Sequence, residues 1–229
     1  MTSLQLQLSE SPVNLSAGVY RVDPLVVEAG SRSIHIVAEA GAKIFLTAFV
    51  LATDNEAGLS LTVDLAGAGA EFNLHGLYVV AGFGETAGEA DIDVRVNHLA
   101  PDCVSRQLVK GIAAGEATGR FAGMVHVARE AQRTDAEQQS RNLQLSDSAH
   151  VYTRPQLEIY ADDVRCSHGA SVGRLDEEAI FYMRQRGVAE ADARRMQLHG
   201  FANEIVDHCP SEGFKALLAT TIGGIVDHL

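Results

Sequence analysis

Lysine is scarce in this sequence. Lys43, Lys110 and Lys215 are the three in the chain, and 18 basic against 30 acidic side chains leave a formal charge of -12. Such a balance repels nucleic-acid phosphates and the anionic face of a bilayer, so neither a nucleic acid nor a membrane is expected as a partner. Cysteine is scarce too. Cys103, Cys166 and Cys209 are an odd number at wide spacing, a poor disulfide framework that fits a reducing compartment, and the cytoplasm is the expected location. There is no apolar run of membrane-spanning length: the most apolar stretch, LLATTIGGIV at 217–226, is too short. The opening MTSLQLQLSE lacks the basic patch and apolar core of a secretory signal. Two catalytic signatures are also missing. Without a G-x-S-x-G elbow no serine nucleophile is marked, and without G-x-x-x-x-G-K-[ST] any ATP hydrolysis must come from a partner.

What is present is enough apolar matter for a sizeable core, since 46% of the 229 residues are hydrophobic. Up to about Val172 the chain reads as short stretches of period-two alternation: LSLTVDL at Leu59, EFNLHGLYVV at Glu71, DIDVRVNHL at Asp91, FAGMVHV at Phe121 and HVYTRPQLEIY at His150. Alternation of this kind predicts strands. Clusters at Gly30, Gly41, Gly67 to Gly69, Gly82 to Gly88, Pro101 and Gly115 to Gly119 punctuate them as turns. No helix-period segment lies between the strands, which excludes alternating β–α units but leaves a sandwich, a barrel and a solenoid equally open.

After Gly173 the period changes. LDEEAIFYMRQRG has Asp176 placed to cap a helix, acids in its first turn, arginines in its last and Gly187 as a stop. Leu198, Phe201, Ala202 and Ile205 then follow helical spacing, and beyond Pro210 so do Phe214, Leu217, Leu218, Ile222, Ile225 and Leu229. These apolar stripes need cover from the β-body, from each other or from a partner protein.

Four places carry residues capable of chemistry. Asp162 and Asp163 are adjacent, so on a strand they would face opposite ways and could not act as an acid and base pair. The inward parity also shifts there, from odd positions (Leu157, Ile159) to even ones (Val164, Val172), which predicts a turn. Cys166 and His168 stand at i and i+2, which on a strand puts thiol and imidazole on one face, a donor pair suited to iron or zinc. Two ligands do not close a tetrahedral site, and spacing by itself favours a core-facing cysteine beside a hydrogen-bonded histidine. His98 and Cys103 flank Pro101 without further ligands. His208 and Cys209 lack same-face geometry on either a helix or a strand.

Three longer stretches carry a family likeness: AQRTDAEQQSRNLQLSD (131–147), TRPQLEIYADDVRCSHGASVGRLDEEAIFYMRQRG (153–187) and ARRMQLHGFANEIVD (193–207). They resemble the SufB/SufD family of scaffold proteins of the SUF iron–sulfur cluster assembly system, and the SufD branch within it. The resemblance implies a right-handed parallel β-helix over residues 1–173 followed by a small helical domain over residues 174–229. It further implies a non-catalytic subunit that pairs with a SufB-like protein and docks a SufC-like ABC ATPase through Leu198, Phe201 and Ile205. By motif, Cys166 and His168 would supply metal ligands completed by SufB across the interface. Iron or a nascent Fe–S cluster is expected there, with no cofactor held tightly by the isolated chain, which would self-pair as a homodimer. The family's usual N-terminal helical region is missing from this sequence, so a fragment or a short form is expected. Ser140, Tyr152 and Val109 depart from the residues common in the family, which bears on local packing and not on the Cys–His pair. The competing reading is a stand-alone β-helix enzyme acting on polysaccharide, which requires a carboxylate or basic cluster on one solvent face. A cupin-like metalloenzyme would need several converging His and Glu ligands, and no such cluster is offered.

Overall fold

The computed structural model describes residues 3–6, 12–22, 24–209 and 212–228. Its strands are β1 (Ser3–Leu6), β2 (Val13–Leu15), β3 (Gly18–Val22), β4 (Leu25–Val27), β5 (Gly30–Ala38), β6 (Ala42–Thr53), β7 (Glu56–Leu65), β8 (Glu71–Gly82), β9 (Glu89–His98), β10 (Val104–Gly115), β11 (Thr118–Val127), β12 (Thr134–Gln144), β13 (His150–Ile159) and β14 (Val164–Gly173). Three helices follow, α1 (Glu177–Arg184), α2 (Glu190–Val206) and α3 (Glu212–Asp227).

From β5 onward, successive strands alternate between two sheets. One runs β1-β3-β6-β8-β10-β12-β14, with β4 also on β6, and the other β2-β5-β7-β9-β11-β13. The pairings are parallel, as in β8 with β10 and β9 with β11. A chain that changes sheet at every turn and returns one step further along is a β-solenoid, here of about five turns. The choice left open by the alternation pattern is thereby decided. Lys43, Glu71, Val104, Asp135 and Arg165 stack in register at spacings of 28, 33, 31 and 30 residues. Those unequal steps are why the sequence shows no strict repeat.

In the sheet of β5, β7, β9 and β11, β7, β9 and β11 bury every second residue, as a half-buried strand should, and β5 does so from Ile34 onward. Its opposite number does not. The second halves of β6, β8 and β10 are buried on both faces. Phe49, Leu51, Leu77, Val79, Ala81, Ile112 and Ala114 point outward there, into a second core shared with Leu198, Ala202, Ile205, Val206, Leu218 and Ile225 of the helices. The helical stripes are therefore covered by the flank of the solenoid and by one another. Pro210 and Leu229 lie outside the described residues, as do the side chains of Phe214 and Ile222.

Local chemistry fixes the helical unit in place. The Asp176 carboxylate accepts from Ala179 N at 3.0 Å to cap α1, and Gly187 takes the positive φ (88°) that ends the segment. Lys110, 4% exposed on the outer face of β10, donates to the Phe201 carbonyl at 2.8 Å and pairs with Glu204 at 2.5 Å. A lysine so nearly buried is tolerable because the Glu204 carboxylate neutralises it and the Phe201 carbonyl accepts one of its hydrogens, both from α2.

Candidate functional site at the open end of the solenoid

Two inward-facing columns lead to the site. Ile44, Phe72, Ser105, Ala136 and Cys166 stack along the first, and Leu46, Leu74, Gln107, Gln138 and His168 along the second. Both columns begin apolar and turn polar towards the C-terminal coil. Side chains spaced two apart on one strand share a face, so Cys166 and His168 project together from the inner side of β14. β14 ends its sheet and β13 ends the other, so the last coil has no coil above it. Burial falls accordingly. Residues that would be sealed in any earlier coil are half-buried or exposed here, with Ile159 at 40% and Val172 at 47%. Cys166 is half-buried against Val125, Val127 and Ala136, and His168 is exposed. The pair stands at the mouth of the coil stack and not sealed within it.

Asp162 and Asp163 form the bend that turns β13 into β14. The Asp163 carbonyl accepts from Arg133 N at 2.6 Å, and the Arg133 guanidinium grips Asp102 at 2.6 and 2.7 Å. This stack of turns carries the chain across the interior and delivers Cys166 to the inner face. The parity change at the two acids is thus structural.

Burial pushes the Cys166 thiol up, helped by the Asp135 carboxylate and opposed by a hydrogen bond to the Ala136 backbone. The resting group is a neutral thiol, and a metal or a nearby positive charge must deprotonate it. Among the described residues no group of three or more His, Cys, Asp or Glu side chains is placed to hold a metal ion. A soft sulfur and an imidazole on one face are a donor pair suited to iron or zinc, and two ligands do not close a tetrahedral site.

The members of the other pairs are held by different partners. His98 is wholly buried and bonds Ser105 Oγ through Nε2 at 2.9 Å, while Cys103 Sγ lies 3.3 Å from the Gly67 carbonyl. His208 stacks on His75 with ring centroids 3.6 Å apart, and Cys209 is buried. Leu198 and Ile205 are 0% exposed and Phe201 is half-buried, all committed to the protein's own second core. They do not form a free docking surface, because the outer face of β6, β8 and β10 already covers that side of α2. Among the described residues, the exposed large apolar side chains of the helical unit are Phe181, Tyr182 and Met196.

Sequence reasoning missed a buried polar spine inside the last coils. Gln138 Nε2 donates to Gln107 Oε1 at 2.9 Å, Tyr78 OH to Asn142 Oδ1 at 2.8 Å, and Asn142 Nδ2 to Ser140 Oγ at 3.0 Å. Thr153 Oγ1 reaches across from the other sheet to Ser140 Oγ at 2.9 Å. Ser140 thus ties the two sheets together. The signal was present in β12, where Thr134, Gln138, Ser140 and Asn142 share one parity with Ala136, all of them buried.

One member of the interior makes stability depend on pH. Burial, with the charge of His126 adding to it, pushes His98 down to about 4. In the unfolded chain a histidine protonates near 6.5, so the unfolded state binds the extra proton first as pH falls. Stability is full above about pH 6.5 and declines as pH drops towards about 4, by roughly 3 kcal/mol from this residue. Thermal melts between pH 7.5 and 4.5 should show that decline, and His98→Gln should remove the share of His98, leaving that of His75, which burial also pushes down to about 4.

The family model for the SufBD core domain of SUF-system FeS cluster assembly matches residues 27–201. The chain belongs to the SufBD family. The iron–sulfur cluster assembly protein SufD of Escherichia coli is 46% identical over 121 residues, which cover 53% of this chain and 29% of that protein. A SufBD family protein of Synechocystis is 40% identical over 135 residues (59% of this chain, 29% of that protein). SufD of Bacillus subtilis is 33% identical over 144 residues (63% and 32%). The chain thus spans about a third of the length of these SufBD relatives. Among the described residues no helix is long and apolar enough to cross a membrane.

Proposed function

We propose that this SufBD chain acts as a SufD-like scaffold subunit in iron–sulfur cluster assembly, contributing Cys166 and His168 as half of a site for iron or a nascent cluster. The other half comes from a SufB-like partner. The observation that carries this reading is that both donors project from the inner face of β14, the terminal strand of its sheet, at the mouth of the solenoid. An unpaired terminal strand offers a row of backbone donors and acceptors to a second chain. The two terminal strands are not equivalent. β13 carries Pro155, whose missing N–H spoils its outer edge, whereas β14 has no proline. Pairing through β14 would set the partner's ligands next to the Cys–His pair. Iron is cargo here, not a resident cofactor, and ATP hydrolysis falls to a SufC-like ABC ATPase docked on the helical unit. Among the described residues, Phe181, Tyr182 and Met196 are the exposed large apolar side chains available for that contact.

Reconstitution with SufB and SufC tests the reading directly. Cys166→Ala and His168→Ala should each lower cluster formation at least tenfold while leaving the circular dichroism spectrum and melting temperature near those of the parent. Parent-level cluster formation by both variants would overturn it. In the absence of SufB, the same free β14 edge should pair with a second copy, giving a homodimer by light scattering. A monomer at every concentration tested would argue against pairing through this edge.

A further inference from the structure

Gln138 is wholly buried, and its amide is fixed at one end only. Nε2 donates to Gln107 Oε1 at 2.9 Å, while Oε1 has no partner. An unpaired buried acceptor costs about 1–3 kcal/mol, so its persistence calls for a donor. The position of the amide narrows the choice. A Cβ built on Gly123 of β11 would lie 2.5 Å from Gln138 Oε1, so the amide reaches across the interior and lies over that glycine. One ladder step further on, Gln138 is followed by His168 and Gly123 by Pro155. Adjacent strands are about 4.8 Å apart. Of those two neighbours only His168 carries a donor.

We propose that Gln138 is a positioning residue for His168: its Oε1 is placed to accept a hydrogen bond from one imidazole nitrogen once the exposed ring turns towards it, which leaves the other, unprotonated, facing out of the coil mouth as a ligand. Gln107 Oε1 takes the Nε2 end of the amide, Gln107 Nε2 being unpartnered as well, and Gly123 makes the room. Imidazoles that bind metals commonly donate their second nitrogen to such an acceptor, which selects the tautomer and the ring orientation. The inference rests on the proposed ligand role of His168 and adds the side chains that make the imidazole fit for it.

The test reads the His168 tautomer in the full chain without metal, by long-range 1H–15N NMR of the ring nitrogens. The parent should show one dominant tautomer. Gln138→Leu should shift it towards the mixture of a free imidazole, and Gln138→Glu, which keeps an acceptor oxygen, should restore it. Gly123→Ala gives a second, independent perturbation, because the added methyl meets only the far end of the flexible Gln138 side chain and should push the amide aside without moving backbone. Should Gln138→Leu fail to fold, Gly123→Ala decides. In the complex with SufB, Gln138→Leu should weaken Fe(II) retention roughly tenfold. An unchanged tautomer population in whichever of Gln138→Leu and Gly123→Ala folds overturns the proposal. A shifted tautomer with unchanged Fe(II) retention keeps the hydrogen bond and removes the ligand role of His168 on which it was built.

Discussion

Leu198→Asp detaches the helical unit from the solenoid and lowers stability by about 4 kcal/mol or more. The side chain is 0% exposed and sits in the core that α2 shares with Phe49, Leu77 and Ile112. Lys110, the lysine buried under α2, is already paired with Glu204, so a carboxylate at 198 would be buried without a cation of its own, which is costlier than undocking the helix. Total stability of a domain is only about 5–15 kcal/mol, so the loss is a large fraction of it. Chemical denaturation should show an early transition carrying the helical circular dichroism signal. Met196→Asp is the control, since Met196 lies on the same helix at 58% exposure. It should leave stability within about 0.5 kcal/mol. A Leu198→Asp chain as stable as the parent would mean that α2 does not rest on the sheet. The pair of variants also separates two meanings of lost ATPase binding. Loss in Leu198→Asp reports an undocked helix, whereas loss in Met196→Asp reports a contact with the partner.

Stripe spacing told correctly that α2 has an apolar face at Leu198, Ala202 and Ile205, but a stripe does not say what covers it. The answer lay in the strands. β6, β8 and β10 carry continuous apolar runs such as Leu77 to Ala81 in place of strict alternation, which is how a strand reads when both faces are covered. Strands that bury one face, such as β7, β9 and β11, were legible from period two, and so were the Asp176 cap, the Gly187 stop and the turn at Asp162 and Asp163. β12 was harder, because Gln138, Ser140 and Asn142 look like a solvent face until the next coil is laid over them. The solenoid itself was beyond the pattern, since steps of 28 to 33 residues per coil hide the repeat. The family likeness supplied it, and the register of the two sheets bears it out.

The candidate site was legible as a same-face Cys–His pair, while the feature that gives it meaning was not. Spacing cannot distinguish a coil in the middle of a stack from the last one. In a middle coil Cys166 and His168 would be as sealed as Ala136 and Gln138, which are 2% and 0% exposed. At the end they keep the inward direction yet meet solvent. Interior polarity rises along the same axis, from Leu46 and Leu74 to Gln107 and Gln138, so the coil beneath the site is built of hydrogen-bonding side chains and not of apolar filling.

Glycine placement within the strands gives the second large effect. Gly111→Ala should cost about 3 kcal/mol or more and loosen the polar spine beneath the site. A Cβ on Gly111 would lie 2.0 Å from Tyr78 Cζ and 2.5 Å from Asn142 Oδ1, and a Cβ on Gly119 of the opposite sheet would lie 2.3 Å from Cε2 of the same ring. The Tyr78 ring, 0% exposed, occupies a slot between two residues that have no side chain. Its hydroxyl donates to Asn142 Oδ1 at 2.8 Å, and that amide in turn reaches Ser140 and the Ser171 carbonyl of β14. A methyl at 111 must displace the ring, and with it the donor that satisfies Asn142. The cost should be strongly coupled to Tyr78. In a Tyr78→Leu background, where ring and hydroxyl are already gone, Gly111→Ala should cost less than half as much, a coupling of more than 1 kcal/mol in a double-mutant cycle by urea denaturation. Strictly additive costs would show that the slot is not what holds the ring, and would leave the interior glycines of β10 and β11 without the packing role the structure gives them.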